Sequence, residues 1–118
     1  MTDIRIAFVG DSITLGTADT EFLGWPGRLC QKETSPDHDI SLYNMGIRSD
    51  TSEMIAARWR AECEARLATF PNAVLVFSFG VNDATLEDGV MRVPMATSLV
   101  VAESMMREAC DWRQTLWV

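Results

Sequence analysis

Three short apolar runs in this sequence each stop on a glycine, and that repeated junction constrains the fold more than any other feature. Residues 4–9 (Ile-Arg-Ile-Ala-Phe-Val) are closed by Gly10-Asp11-Ser12, residues 42–45 by Gly46, and residues 73–79 (Ala-Val-Leu-Val-Phe-Ser-Phe) by Gly80. Each reads as a buried strand followed by a turn, the third being nearly all apolar and so buried on both faces. A fourth strand begins near Thr115-Leu116-Trp117-Val118. Helical stretches separate the runs. Residues 25–32 form a short one, with Pro26 tolerated in its first turn. In residues 52–69, Ile55, Trp59, Cys63 and Leu67 recur every fourth position on one stripe. Asp50 stands three residues before Glu53 in the layout of a capping box, and Pro71 marks the stop. Residues 94–112 form a third helix whose apolar face is Met95, Leu99, Ala102, Met106 and Cys110, read as core packing. The alternation predicts an α/β fold, a parallel sheet with helices on both faces. Right-handed crossovers put the C-terminal ends of the strands on one rim, where open α/β sheets bind ligands.

Composition narrows the function classes. A chain of 118 residues, 47% of them hydrophobic, holds enough apolar material for one domain with a core. The formal net charge of −7 argues against nucleic acid and against an anionic membrane. No apolar run reaches the ~18 residues of a spanning helix, and no basic segment precedes the first strand, so a cytoplasmic location is expected. Cys30, Cys63 and Cys110 are widely spaced and read as reduced thiols in a packed core. One histidine and scattered cysteines give no ligand set, so neither a metal nor another cofactor is expected.

The turns Gly10-Asp11-Ser12, Gly46-Ile47-Arg48 and Gly80-Val81-Asn82-Asp83 should converge on the shared rim. Taken singly, Ser12 reads as an ordinary turn residue, Gly46 as a tight turn and Asn82-Asp83 as a helix cap. Taken together they make a site suited to acyl transfer. That chemistry needs an exposed nucleophile, here Ser12, and donors aimed at the oxyanion of the attacked carbonyl. Gly46 offers a backbone N–H without a side chain in the way, and Asn82 offers a side-chain amide. Arg48 and Asp50 are either cleft residues or solvated ones, and Trp25 either packs near the site or anchors its helix. Asp11 is expected to make turn hydrogen bonds, and Asp83 to cap or orient the asparagine turn.

These residues carry a family resemblance. Phe8-Val9-Gly10-Asp11-Ser12-Ile13-Thr14 resembles the first block of the SGNH hydrolases, also called GDSL esterases and lipases. Asn44-Met45-Gly46 resembles their second block, and Gly80-Val81-Asn82-Asp83 their third. The resemblance runs from Arg5 to Val118. It implies a flavodoxin-like three-layer α/β/α fold and hydrolysis of a small-molecule carboxylic ester or thioester through a serine acyl-enzyme. It further implies Ser12 as catalytic nucleophile, and Gly46 and Asn82 as oxyanion-hole donors with the Ser12 N–H.

The family's late Asp-x-x-His block, source of its general base, has no counterpart here. His38, the single histidine, precedes the second strand and so lies about 20 Å from Ser12, at the wrong end of the sheet. The expectation is therefore the N-terminal portion of an SGNH domain, interrupted after about the fourth strand and weak or inactive alone. Trp112, Leu116, Trp117 and Val118 would lack covering partners, leaving a sheet edge open to a second copy. Two other readings stand beside it. One is a non-catalytic fragment whose sheet a partner chain completes. The other is a flavodoxin-like module holding FMN or phosphate through Ser12, Thr14 and Thr17, although Asp11 is unwelcome beside a phosphate.

Overall fold

The computed structural model describes residues 1–118 throughout. In chain order the elements are β1 (Thr2–Gly10), α1 (Ser12–Leu15), α2 (Gly24–Glu33), β2 (His38–Gly46), α3 (Ser52–Leu67) and β3 (Ala73–Ser78), then the short strands β4 (Leu86–Glu87) and β5 (Val90–Met91), α4 (Met95–Trp112) and β6 (Gln114–Trp117). The four long strands form one parallel sheet in the order β2-β1-β3-β6. The α/β fold and the order of its four main strands are as the sequence predicts, but β2 starts four residues before its apolar run, so that His38, expected in a loop ahead of the strand, is its first residue and pairs with Thr2. The turn of helix at Ser12 and the β4–β5 hairpin are additions. No helix is long and apolar enough to cross a membrane.

The alternation of side chains along β1 and β3 divides the core between the two faces of the sheet. Ala7, Val9, Leu75 and Phe77 cluster with Ile55, Trp59, Cys63 and Leu67 of α3 and with Met105 and Ala109 of α4. Phe8 points the other way and meets Trp25 of α2 edge-on at 5.3 Å, so Trp25 anchors its helix. The four-residue stripe of α3 is buried as its spacing predicts.

Local readings fared less evenly. The N-cap of α3 is Thr51, whose side chain accepts from the Met54 N–H, and not Asp50, whose carboxylate is drawn away by Arg58. The buried stripe of α4 is Ala102, Met105 and Ala109, whereas Met95 and Leu99 are exposed. The first half of that helix, Ala-Thr-Ser-Leu-Val-Val-Ala after Met95, is apolar on more than one side, so periodicity did not single out a face. The cysteines differ accordingly, with Cys63 buried, Cys30 half-buried and Cys110 exposed. Trp112 is covered after all, 6.4 Å from the Trp59 ring and under the Arg60 guanidinium at 4.1 Å.

Candidate active site

The register of the sheet brings the three glycine turns together. Gly10 at the end of β1 lies opposite Gly46 of β2 on one side and Ser78 of β3 on the other. Ser12, two residues past Gly10, opens α1 and is half-buried. Asp11 caps this single turn by accepting the Ile13 N–H at 2.9 Å, and is itself buried, as turn chemistry predicts. As the first helical residue, Ser12 has no acceptor for its N–H within α1.

Gly46 is required by close approach. A Cβ there would stand 2.6 Å from the Asp11 carbonyl oxygen and 2.8 Å from Leu15 Cα. The strand end and α1 therefore touch backbone to backbone, which carries the Gly46 peptide close to Ser12. In this arrangement the Gly46 N–H donates to Asn44 Oδ1 at 3.0 Å, while Asn44 Nδ2 donates to the Thr14 carbonyl at 2.9 Å. Asn44 thus ties β2 to the helix that carries Ser12. Asn82, past the end of β3, gives one amide N–H to the Asp50 carbonyl at 2.9 Å and keeps the other.

Asp83 holds the elements around this turn. Its carboxylate accepts from the Ser52 N–H at 2.7 Å and from the Ser52 and Ser98 hydroxyls at 2.6 Å each. It therefore caps α3 from a distance and ties the asparagine turn to α4 as well. On the other flank a cleft of about 450 Å³ runs past Leu15, Thr17, Phe22 and Arg48. Its wall is fixed by Asp19, which accepts from the Glu21 N–H, the Gly24 N–H and Arg28 Nη2. The Glu21 N–H above all, helped by Gly24 and Arg28 against a desolvation push, holds the Asp19 carboxyl below the ordinary aspartate value.

Other residues fall differently. Arg48 lines the cleft and is exposed, while Asp50 is buried against Arg58 and is not part of its lining. Thr14 is fully buried, whereas Ser12 is half-buried and Thr17 exposed. His38 is the first residue of β2 and pairs with Thr2, whereas Gly46 closes the same strand. Eight steps at about 3.3 Å put it roughly 26 Å from the Gly46 end. Sequence reasoning passed over Asn44 and Arg58. Asn44 had a usable signal, a polar side chain inside an apolar strand two residues before the glycine. Arg58 had none, since it sits at the flank of the α3 stripe among other arginines.

Comparison with known proteins bears on both family and fold. The GDSL-like lipase/acylhydrolase family matches residues 8–112. Among solved structures, TesA superimposes with a TM-score of 0.73 at 26% identity, over 96% of this chain and 58% of its own. Axe2, an acetylxylan esterase from Geobacillus stearothermophilus, gives 0.75 at 22% identity, over 97% and 58%. AlinE4, an SGNH-hydrolase family esterase, gives 0.74 at 18% identity, over 99% and 59%. The chain therefore spans less than two thirds of the length of these structures. No curated protein matches the sequence.

Proposed function

The chain belongs to the GDSL-like lipase/acylhydrolase family, and from that premise we propose that it forms the nucleophile side of an ester-hydrolysing site. Ser12 Oγ attacks the carbonyl carbon of a small-molecule carboxylic ester or thioester, the tetrahedral intermediate expels the alcohol or thiol to give the acyl-enzyme, and water then releases the carboxylic acid and restores Ser12. The oxyanion of the tetrahedral intermediate is received by the Ser12 N–H, the Gly46 N–H and the free N–H of Asn82. One observation supports this reading: Gly10 is in register with both Gly46 and Ser78, so the turns after three adjacent strands leave the same rim of the sheet as Ser12. For the Gly46 N–H to serve, it must exchange Asn44 Oδ1 for the oxyanion. That exchange favours the charged acceptor, because a hydrogen bond to an ion is about twice as strong as a neutral one.

The serine also needs a base to take its proton. His38, at the opposite end of β2, is too far away to serve. We infer that the base is supplied by residues outside these 118, within the longer domain that the solved structures span. On this reading the present chain retains only the catalysis due to its oxyanion donors, roughly 10³–10⁴ over water.

Hydrolysis of 4-nitrophenyl acetate by the 118-residue chain tests the proposal. The expected rate is slow, and Asn82→Ala lowers it by about 10²–10³, to near the buffer rate. Ser12→Ala moves this slow rate little, because without a base the turnover rests on the oxyanion donors and not on the serine. Fast turnover that survives Ser12→Ala would overturn the assignment of the nucleophile. Fast turnover that requires Ser12 would overturn the placing of the base outside this chain. Reading the coding sequence downstream of Val118 adds a second check, since a further strand followed by Asp-x-x-His would supply the base.

A further inference from the structure

We propose that Arg58, braced by Asp50, is the positioning residue that aims two of the three oxyanion donors. The inference rests on the reading of Ser12, Gly46 and Asn82 as one site. Arg58 rises from α3 beneath the rim and is largely buried, with side-chain exposure of 14%. Its Nη2 donates to the Gly10 carbonyl at 2.9 Å and its Nη1 to the Met45 carbonyl at 3.0 Å. Its Nε donates to Asp50 Oδ2 at 2.8 Å, and Nη1 also reaches Glu62 Oε2 at 3.1 Å. One guanidinium thus holds the last carbonyl of β1, the penultimate carbonyl of β2 and the carboxylate that follows β2.

The consequence for the site follows from peptide geometry. The Met45 C=O and the Gly46 N–H belong to the same planar peptide and point in opposite directions. Fixing the carbonyl on Arg58 therefore fixes the direction of the Gly46 N–H, away from α3. Arg58 also holds Asp50, and the Asp50 backbone carbonyl accepts the Asn82 amide at 2.9 Å. The Asn82 side chain is thereby held in one orientation, with its second N–H left over for substrate. Gly46 and Asn82 come from different strands, yet a single side chain sets the aim of both. Lysine cannot replace it. An ammonium offers its donors from one point, whereas these acceptors lie on two strands about 4.8 Å apart and on a carboxylate beyond them. A merely structural Arg58 would support the fold without singling out these two donors.

The test uses the 118-residue chain, labelled with ¹⁵N and titrated with sodium butanoate as a carboxylate probe for the oxyanion donors. In the wild type, saturating shifts are expected at the Ser12 and Gly46 amides and the Asn82 side-chain amide. In Arg58→Lys, the apparent Kd for butanoate rises about tenfold or more, and the Gly46 and Asn82 shifts are lost while the Trp59 indole signal keeps its place. Asp50→Asn separates the two routes and serves also where Arg58→Lys folds poorly. There the Asn82 response is lost and the Gly46 response survives, because Arg58 still holds the Met45 carbonyl. Wild-type responses at both donors in either variant overturn the positioning role alone, as does loss at both donors in Asp50→Asn. A wild-type chain that shows no response at Ser12, Gly46 and Asn82 overturns the site reading and this inference with it.

Discussion

Around β1, β2 and α3 the chain closes on itself, whereas along α4 and β6 it presents apolar surface outward. On the first side Gly10 and Gly46 lie edge to edge, Asn44 bridges to α1, Arg58 binds two strand ends, and Ile55, Trp59, Cys63 and Leu67 are buried. On the second side Leu99 is 64% exposed, Leu116 55% and Val118 71%, while Trp117 is 53% exposed despite stacking on Phe79. Both sides contribute to one rim. The difference teaches that the geometry around Ser12 is set by local contacts among the first three long strands and α3, without help from the edge at β6. Changes on the closed side should therefore be expensive, and changes on the open side cheap.

The largest expected effect lies in the closed core. Trp59 touches Phe77 edge-on at 5.3 Å and Trp112 at 6.4 Å, and is 2% exposed. Trp59→Ala should cost about 3–5 kcal/mol, the usual range for truncating a buried aromatic, read as the shift in free energy of urea unfolding. A cost below about 1 kcal/mol would mean that α3 is not locked to the sheet, and the comparison would fail on its strong side. Next comes Gly46→Ala. Its methyl meets Leu15 and Asp11 backbone atoms that cannot rotate aside, so a cost of about 1–3 kcal/mol is expected from overpacking. The same methyl pushes α1 away from β2 and moves the Gly46 N–H, so the slow ester turnover should fall further than stability alone explains.

The strands were legible because their signal is local. An apolar run closed by glycine means much the same in any parallel sheet, and residues 4–9, 73–79 and 115–118 fall on β1, β3 and β6 within a residue or two. The shared rim followed from topology. What could not be read were side-chain partnerships made across the fold. Asp50 resembled a cap by its spacing to Glu53, yet Arg58, eight residues on, claims its carboxylate and leaves the cap to Thr51. Asp83 resembled a local turn residue and proves to hold Ser52, at a sequence separation of 31. The face of α4 was misread for a related reason. Its sequence is apolar on two sides, and only packing against α3 and the sheet decides that Ala102, Met105 and Ala109 go inside. Ser12, Gly46 and Asn82 follow strand ends on one rim, but the Asp50 carbonyl that accepts from Asn82 leaves no trace in the sequence, and the Asn44 side chain that accepts from Gly46 leaves only a polar residue in an apolar strand.

Thiol chemistry sharpens the comparison, since one cysteine sits on each side. Cys63 is buried under α3, and desolvation chiefly, with Glu62 adding to it against three nearby arginines, pushes its thiol up to about 12. At pH 8 Cys63 is therefore held as the thiol, whereas the thiolate is the reactive form. Cys110 is exposed on α4. Iodoacetamide at pH 8 should therefore modify Cys110 in the folded chain and reach Cys63 only on unfolding, which peptide mass spectrometry can follow. The sign of the pH effect follows from the same shift. The folded thiol resists ionisation more than the unfolded one, whose ordinary value is 9.0. The Cys63 contribution to stability is thus intact below pH 9 and is lost as pH rises from 9 toward 12. Equal labelling of the two cysteines in the native chain would show that the closed side opens as readily as the edge.

The smallest effect is expected at Leu99, and it bears most directly on the open side. Its side chain lies over a small apolar hollow of about 200 Å³ shared with Phe79, Met95 and Trp117. Being mostly exposed already, it gives up little burial on truncation, so Leu99→Ser should change the unfolding free energy by less than about 0.5 kcal/mol. The slow ester turnover should not move. A loss of about 2 kcal/mol or more would mean that this surface is covered in solution, because that much stability comes only from burial the single chain does not provide. Repeating the measurement across a hundredfold range of protein concentration then identifies the cover. A cost that grows with concentration points to a second copy seated on the β6 edge, since stability gained by association follows mass action. A cost independent of concentration means that α4 and β6 close over Leu99 within one chain, and the contrast between the two sides of the rim disappears.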